Sequence, residues 1–177
     1  SNKNKANNGL ASDALHRVHV HNGVIYASTN AGLSISTDNG ESFVTRTVSD
    51  GLGSNSVYDV HVDGNTIYAA TSTGGLSIST DGGQSFVSKG ASDGLTTAIS
   101  ELVVAPDGTI YVGGNSVFLS KDGGSSFSEL PTANQFVTVI VRDLEIEGST
   151  VYINVRSTTT GAGIYSTADR GETLTTI

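Results

Sequence analysis

Carboxylates and histidines recur in this chain at spacings that could do chemistry. Asp50 and Asp93 each sit in a repeated run, Ser49-Asp-Gly-Leu52 and Ser92-Asp-Gly-Leu95. Glycoside hydrolysis requires two facing carboxylates, one as acid and one as base or nucleophile. The same run has a simpler use, because an Asp beside a Gly caps a turn by accepting backbone N–H groups. His19 and His61 hold equivalent places in two repeats, with Val103 and Glu145 in the third and fourth, and the next polar column reads His21, Asp63, Ala105 and Glu147. Imidazole with carboxylate suits zinc or a similar ion, which makes His19, His61 and Glu145 metal candidates. The competing reading is of solvated or hydrogen-bonded side chains that bind no metal. No cofactor is expected. Four further carboxylates, Asp38, Asp81, Asp122 and Asp169, tempt a calcium reading, but one carboxylate per turn falls far short of the six to eight oxygens calcium takes.

Those four carboxylates point to the elements that must carry everything else. They anchor one motif in four copies: Ser36-x-Asp38-x-Gly40-x-Ser42-Phe43, Ser79-x-Asp81-x-Gly83-x-Ser85-Phe86, Ser120-x-Asp122-x-Gly124-x-Ser126-Phe127, and Thr167-x-Asp169-x-Gly171-x-Thr173-Leu174. The copies recur every 41 to 47 residues, a period typical of propeller blades. Ahead of each copy, apolar and small polar residues alternate as in a strand. The Asp can accept hydrogen bonds from amides just downstream, the Gly supplies the positive φ of a tight turn, and the Phe returns the chain to an apolar layer. Upstream of each motif stands an apolar row (Leu15, Val18, Val20 in the first repeat; Val57, Val60, Val62 in the second), then a Gly-bearing hairpin turn, then Tyr26, Tyr68, Tyr111 or Tyr152 in one column. A repeated Tyr suits packing between neighbours, with its hydroxyl hydrogen-bonded.

At these residues the chain resembles the Asp-box, or bacterial neuraminidase repeat, family, which includes sialidases, sortilin-type receptors and xyloglucan-degrading propellers. Asp50-Gly-Leu-Gly-Ser-Asn-Ser-Val57 and Thr73-Gly-Gly-Leu76 also resemble the repeats of periplasmic sensor propellers. The resemblance implies an all-β fold, a β-propeller of four-stranded antiparallel blades with the box as a structural turn between third and fourth strands. Four blades are expected, at about 10–48, 52–90, 95–130 and 137–177. In an up-and-down meander the hairpin turns and the boxes share one side, and the loops of the other side are where binding is expected. Its candidate residues are Asn30, Asp50, Asn55, Asp93, Asn115, Gln135 and Arg156.

The chain has 177 residues and a net charge of −8, with no basic run, so the electrostatic footprint of nucleic-acid binding is missing. Cysteine is absent, which excludes a disulfide framework and a thiolate metal site. No run of 18 apolar residues offers a membrane span. A sialidase would need an arginine cluster, and the arginines here (Arg17, Arg46, Arg142, Arg156, Arg170) lack the Arg-Ile-Pro motif that accompanies such enzymes. No Gly-x-Ser-x-Gly elbow or Walker sequence appears either. The expectation is a non-catalytic extracellular or periplasmic bacterial propeller, its export signal outside this chain, that binds a glycan or protein. The alternative is part of a sialidase-like or other glycoside hydrolase propeller. The two ends of the chain offer the same strand twice, since Asn8-Gly-Leu10 aligns with Asp50-Gly-Leu52. Either Ser1–Ala6 closes a four-bladed ring, or the chain pairs with a second copy or with further blades. The polar Ser1–Ala6 favours the larger assembly.

Overall fold

The computed structural model describes residues 8–95, 98–130, 139–157 and 162–177. Within them, four antiparallel four-stranded sheets follow one another, each with its strands in chain order. Blade 1 comprises β1 (Leu15–His21), β2 (Val24–Thr29), β3 (Gly32–Ser36) and β4 (Val44–Arg46). Blade 2 comprises β5 (Val57–Asp63), β6 (Thr66–Thr71), β7 (Gly75–Ser79) and β8 (Val87–Lys89). Blade 3 comprises β9 (Ile99–Val104), β10 (Ile110–Gly114), β11 (Val117–Ser120) and β12 (Ser128–Glu129). Blade 4 comprises β13 (Val139–Glu147), β14 (Thr150–Ser157), β15 (Gly163–Thr167) and β16 (Thr175–Thr176). The chain divides into two compact units, Ser1–Lys89 and Gly90–Ile177. Each holds two blades. The closing strand expected at Ser1–Ala6 lies outside the described residues, as does Gln135.

Faces are set by strand register. In blade 1 the pairings Leu15↔Thr29, Val18↔Ala27 and Val20↔Ile25 alternate with Arg17↔Ser28 and His19↔Tyr26, with a bulge between Leu15 and Arg17. Blade 2 repeats this with Val57, Val60 and Val62 on one face, Asp59 and His61 on the other, and the same bulge between Val57 and Asp59. The extra residue of a bulge re-aims the strand end, which is how Leu15 and Val57 join an apolar row three residues away. In unit 1 the core is Tyr26, Leu33 and Ile35 of blade 1 against Val57, Val60, Val62, Ile67 and Ala69 of blade 2. In unit 2 it is Tyr111, Val117 and Leu119 of blade 3 against Val141, Leu144, Ile153 and Val155 of blade 4.

The linkers into blades 2 and 3 are clasps. Val48–Asp50 forms one 3-10 turn, capped by Asp50 Oδ2, which accepts the Thr47 N–H at 2.9 Å. Ala91–Asp93 does the same, with Asp93 Oδ2 accepting the Gly90 N–H at 3.0 Å. The carbonyl of the capping residue then accepts the amide of the next motif's Phe: Phe86 N–H to Asp50 O at 2.8 Å, Phe127 N–H to Asp93 O at 2.8 Å, and Phe43 N–H to Asn8 O at 2.9 Å. The Leu that follows, Leu10, Leu52 or Leu95, is buried. Between them the Gly passes so close that a Cβ on Gly51 or Gly94 would stand 2.0 or 2.1 Å from the Phe carbonyl oxygen, and both have φ near +95°. Backbone contact at that range admits no side chain.

Candidate functional site

The four motif turns are built alike. In blade 1, Ser36 Oγ accepts the Gly40 N–H at 2.8 Å and donates to Asp38 Oδ1 at 2.7 Å, while Asp38 accepts Ser42 N–H at 2.9 Å and Ser42 Oγ–H at 2.5 Å. Asp81 and Asp122 accept the same bonds from Ser85 and Ser126, and Asp169 from Thr173. Bonds of this kind favour the ionised carboxylate. The hydroxyl and amide of Ser42 or Thr173 hold Asp38 and Asp169 down to about 2, and Ser85 and Ser126 hold Asp81 and Asp122 well below the usual carboxylate range. With their oxygens engaged inside the turn, these carboxylates are structural. The residue after each Asp is left-handed: Asn39 at φ 58°, Gly82 at 71°, Gly123 at 69° and Arg170 at 60°. Gly and Asn tolerate this conformation, and arginine does so only against strain.

At the opposite end of unit 1, a polar and aromatic cluster bridges the two blades. His16 Nε2 donates to Asn30 Oδ1 at 2.7 Å, and Ser56 Oγ donates to the same oxygen at 3.2 Å. The His16 ring meets Tyr58 edge-to-face at 4.9 Å between centroids. Alongside, Arg17 Nε lies 3.0 Å from Asp59 Oδ1, whose side chain is buried. Ser28 Oγ reaches across to Tyr58 O at 3.1 Å. Further along the first strands the rings of His19 and His61 stand 5.6 Å apart, with His21 stacked 6.4 Å from His19. Burial, with a neighbouring imidazole, lowers the pKa of His19 and of His61.

Unit 2 instead carries a cleft of about 520 Å³ at its motif-turn end. Its walls are the β9–β10 turn (Pro106, Asp107), the β13–β14 turn (Gly148, Ser149), the blade 4 motif turn (Ala168 to Arg170) and the Tyr111 ring. Unit 1 shows how such a space arises. There Asn65 ties the corresponding turns together, its Nδ2 donating to Thr80 O at 3.1 Å and its carbonyl accepting the Gly82 N–H at 3.2 Å. The register puts Ser149, Ala168 and Ala105 where unit 1 has Asn65, Thr80 and His21. Three smaller side chains leave the gap. Arg170, in the place of Gly82, spans it and donates from Nε to Asp107 Oδ2 at 2.6 Å. Burial pushes the Tyr111 hydroxyl up to about 12, so it stays protonated as a hydrogen-bond donor.

Solved structures settle the architecture. The chain is similar to the extracellular domain of a putative hybrid two-component system of B. thetaiotaomicron, at 17% identity and a TM-score of 0.77, over 99% of this chain and 25% of that one. It is similar to an ancestral GH74 enzyme at 22% identity and 0.72, over 94% of this chain and 24% of that one. It is also similar to PorZ, a surface component of the type-IX secretion system of Porphyromonas gingivalis, at 15% identity and 0.71, over 93% of this chain and 26% of that one. The fold is that of a β-propeller. This chain spans about a quarter of the length of each of those proteins. No protein-family model and no curated protein matches it.

Within this propeller chain the sequence-derived candidates separate. Among the described candidates Asn30 is the one drawn into a cluster, with His16, Ser56 and Tyr58, three residues that the sequence reading missed. Nothing in the spacing of Tyr58 marks it, because it interrupts the apolar row instead of belonging to a repeat column. Asp50 and Asp93 cap their own linkers, in different units. Asn55 Oδ1 accepts the Val48 N–H at 2.9 Å and so braces the first linker. Asn115, in the β10–β11 turn, and Arg156, on β14, are exposed. His19 and His61 do come together, but Glu145 lies in the other unit. Among the described residues no three His, Asp or Glu side chains are grouped to hold a metal ion. Among them, too, no helix is long and apolar enough to cross a membrane.

Proposed function

We propose that the chain is a non-catalytic propeller scaffold of the bacterial cell exterior, of the Asp-box type, that holds a glycan or a protein segment at the loop end opposite the motif turns. The supporting observation is the His16, Asn30, Ser56 and Tyr58 cluster. An aromatic edge beside an amide and a hydroxyl, all held in place by one another, is suited to a sugar ring or a peptide group that needs both stacking and hydrogen bonds. Because the cluster draws on two blades, it is pre-organised by their joint, which lowers the entropic cost of binding. The extracellular setting is supported by the neighbours, two of which are an extracellular domain and a surface component of bacteria. A hydrolase would need a free carboxylate pair, and the two best candidates, Asp50 and Asp93, each cap a turn.

Arrays of glycans and of peptides probed with the purified chain test this reading in separate arms. Binding in either arm should fall at least tenfold in Tyr58→Ala and Asn30→Ala, the loss of about 1.4 kcal/mol. A ligand whose affinity ignores both substitutions rules the loop end out. Turnover of a fluorogenic sialoside or xyloglucan oligomer that vanishes in Asp50→Asn or Asp93→Asn would overturn the non-catalytic assignment.

A further inference from the structure

Each unit contains one joint, and both joints are made the same way. The face of one blade that carries its column Tyr presses on the apolar row of the next: Tyr26, Leu33 and Ile35 on Val57, Val60 and Val62 in unit 1, and Tyr111, Val117 and Leu119 on Val141, Leu144 and Ile146 in unit 2. Blade 1 presents a second apolar row, and blade 4 presents a second Tyr face. Leu15, Val18 and Val20 hold the register positions of Val57, Val60 and Val62. The latter are 0, 2 and 4% exposed, whereas Leu15, Val18 and Val20 are 47, 56 and 61% exposed. On blade 4, Ile164 pairs with Asn154 as Leu33 pairs with Ser28 and Val117 with Gly113. Leu33 and Val117 are 0% exposed, and Ile164 is 47% exposed.

We infer that these two faces are the halves of a third joint, made between two copies of this chain, with the Tyr152 and Ile164 face of one copy seated on the Leu15, Val18 and Val20 row of the other. What covers such a row is visible within the molecule, since each of its counterparts in blades 2 and 4 lies under the Tyr face of a preceding blade. Charge fits as well. In unit 1 successive first strands are bridged by Arg17 and Asp59, and at the third joint Asp143, in the register position of Asp59, would approach Arg17 of the other copy with the opposite sign. A row of three exposed branched side chains is the kind of apolar patch that marks an interface. The joint is head-to-tail, so each copy offers its row to one neighbouring copy and its Tyr face to another.

The inference is independent of the ligand reading and is tested without a ligand. Light scattering at several concentrations should give a mass of two copies or more for the wild-type chain, rising with concentration. Val18→Glu and Ile164→Glu should each run as a monomer, with circular dichroism unchanged because both side chains are exposed in the single chain, and with a urea midpoint that no longer varies with protein concentration. Val20→Glu serves as a second probe of the row should Val18→Glu fail to fold. Mixing Val18→Glu with Ile164→Glu should restore a one-to-one dimer, because one intact Tyr face and one intact row remain. A wild-type chain that is monomeric throughout, a dimer indifferent to both substitutions, or a mixture that stays monomeric would each overturn the inference.

Discussion

In unit 1 the first strands of two blades meet through polar groups: Arg17 against Asp59, and His19 with His21 against His61. In unit 2 the same register positions carry Glu101, Val103 and Ala105 on blade 3 and Asp143, Glu145 and Glu147 on blade 4, so both basic partners and imidazoles are gone. The turn ends differ in the reverse sense. Unit 1 closes its turns with Asn65, while unit 2 leaves a cleft spanned by Arg170 and Asp107. Beneath these differences the clasp, the motif turn and the Tyr-to-apolar-row joint are repeated with hydrogen-bond lengths that agree within about 0.1 Å between the units. The backbone plan is therefore held by a few glycines, Asp carboxylates and branched apolar side chains, and the remaining surface is free to take on different chemistry in each unit.

The strongest way to break that comparison is to attack what the units share. Gly51→Ala and Gly94→Ala should each destabilise by about 3 kcal/mol or more, because the left-handed φ penalises a side chain and the Cβ has a carbonyl oxygen, not a movable side chain, in its way. Gly23→Ala, at φ +79° but with open space around it, should cost only about 1 kcal/mol. Urea titrations of the three variants check this. A Gly51→Ala midpoint equal to that of Gly23→Ala would mean the clasp does not hold the blade.

Acid should separate the units. His19 and His61 have folded pKa values below the unfolded 6.5 because burial disfavours the charged ring, so the folded state binds protons less readily than the unfolded one. Their contribution to stability is whole above about pH 6.5 and declines as the pH falls below it toward the folded values. All four histidines of the chain are in unit 1. Hydrogen exchange compared between pH 7.5 and 5.5, after correction for the intrinsic rate, should show loosening of β1 and β5 and no change in β9 and β13. Equal loosening in both units would remove the histidines as its cause. A second loss, common to both units, should follow as the motif carboxylates protonate. Their folded pKa values are depressed, so their contribution is present above the unfolded 3.8 and is lost as the pH falls through about 2 for Asp38 and Asp169, and lower still for Asp81 and Asp122.

Individual turns should differ less. Asp81 Oδ1 accepts the Gln84 N–H at 2.9 Å in addition to the Ser85 bonds, and Phe86 closes its turn as a buried ring, whereas Leu174 in the last turn is partly exposed. Asp81→Ala should therefore lower the urea midpoint more than Asp169→Ala. Equal shifts would show that the closing aromatic adds nothing to the turn.

What was legible in the sequence follows from what repeats. The motif spacing, the Gly turns and the Tyr column announced four-stranded antiparallel blades, because each is a local requirement of the backbone that any copy must satisfy. The alignment of Asn8-Gly-Leu10 with Asp50-Gly-Leu52 is matched by the Asn8 and Asp50 carbonyls, which each take a motif Phe amide. The 3-10 form of the linkers was not foreseen, since Ser-Asp-Gly reads equally well as an open turn. The His16, Asn30, Ser56 and Tyr58 cluster could not be read either. It depends on contact between blades, and on bulges at Leu15/Arg17 and Val57/Asp59 that leave no sequence mark. The cleft escaped for a related reason. It is an absence of bulk at Ala105, Ser149 and Ala168, visible only once three turns from two blades are brought side by side.

Arg170 provides the finest test of how far the units differ by choice of side chain alone. At φ 60° it occupies a position filled by Gly82 and Gly123 in its sister turns, and a left-handed arginine costs roughly 1 to 2 kcal/mol relative to glycine. Against that stands its bond to Asp107 at 2.6 Å, a pair in which both side chains are more than a third exposed and which is therefore worth about 0 to 1 kcal/mol. Strain exceeds pairing. Arg170→Gly should leave stability unchanged or raise it by up to about 1 kcal/mol, while opening the cleft and freeing Asp107. The depressed pKa of Asp107 owes most to the Thr109 N–H and less to Arg170, so its titration, followed by carboxyl NMR, should move up only modestly in the variant. A destabilisation of more than about 1 kcal/mol would mean that the guanidinium holds blades 3 and 4 together. The cleft would then be a by-product of that tie, and the unit 2 turn end would be as structural as the Asn65 tie it replaces.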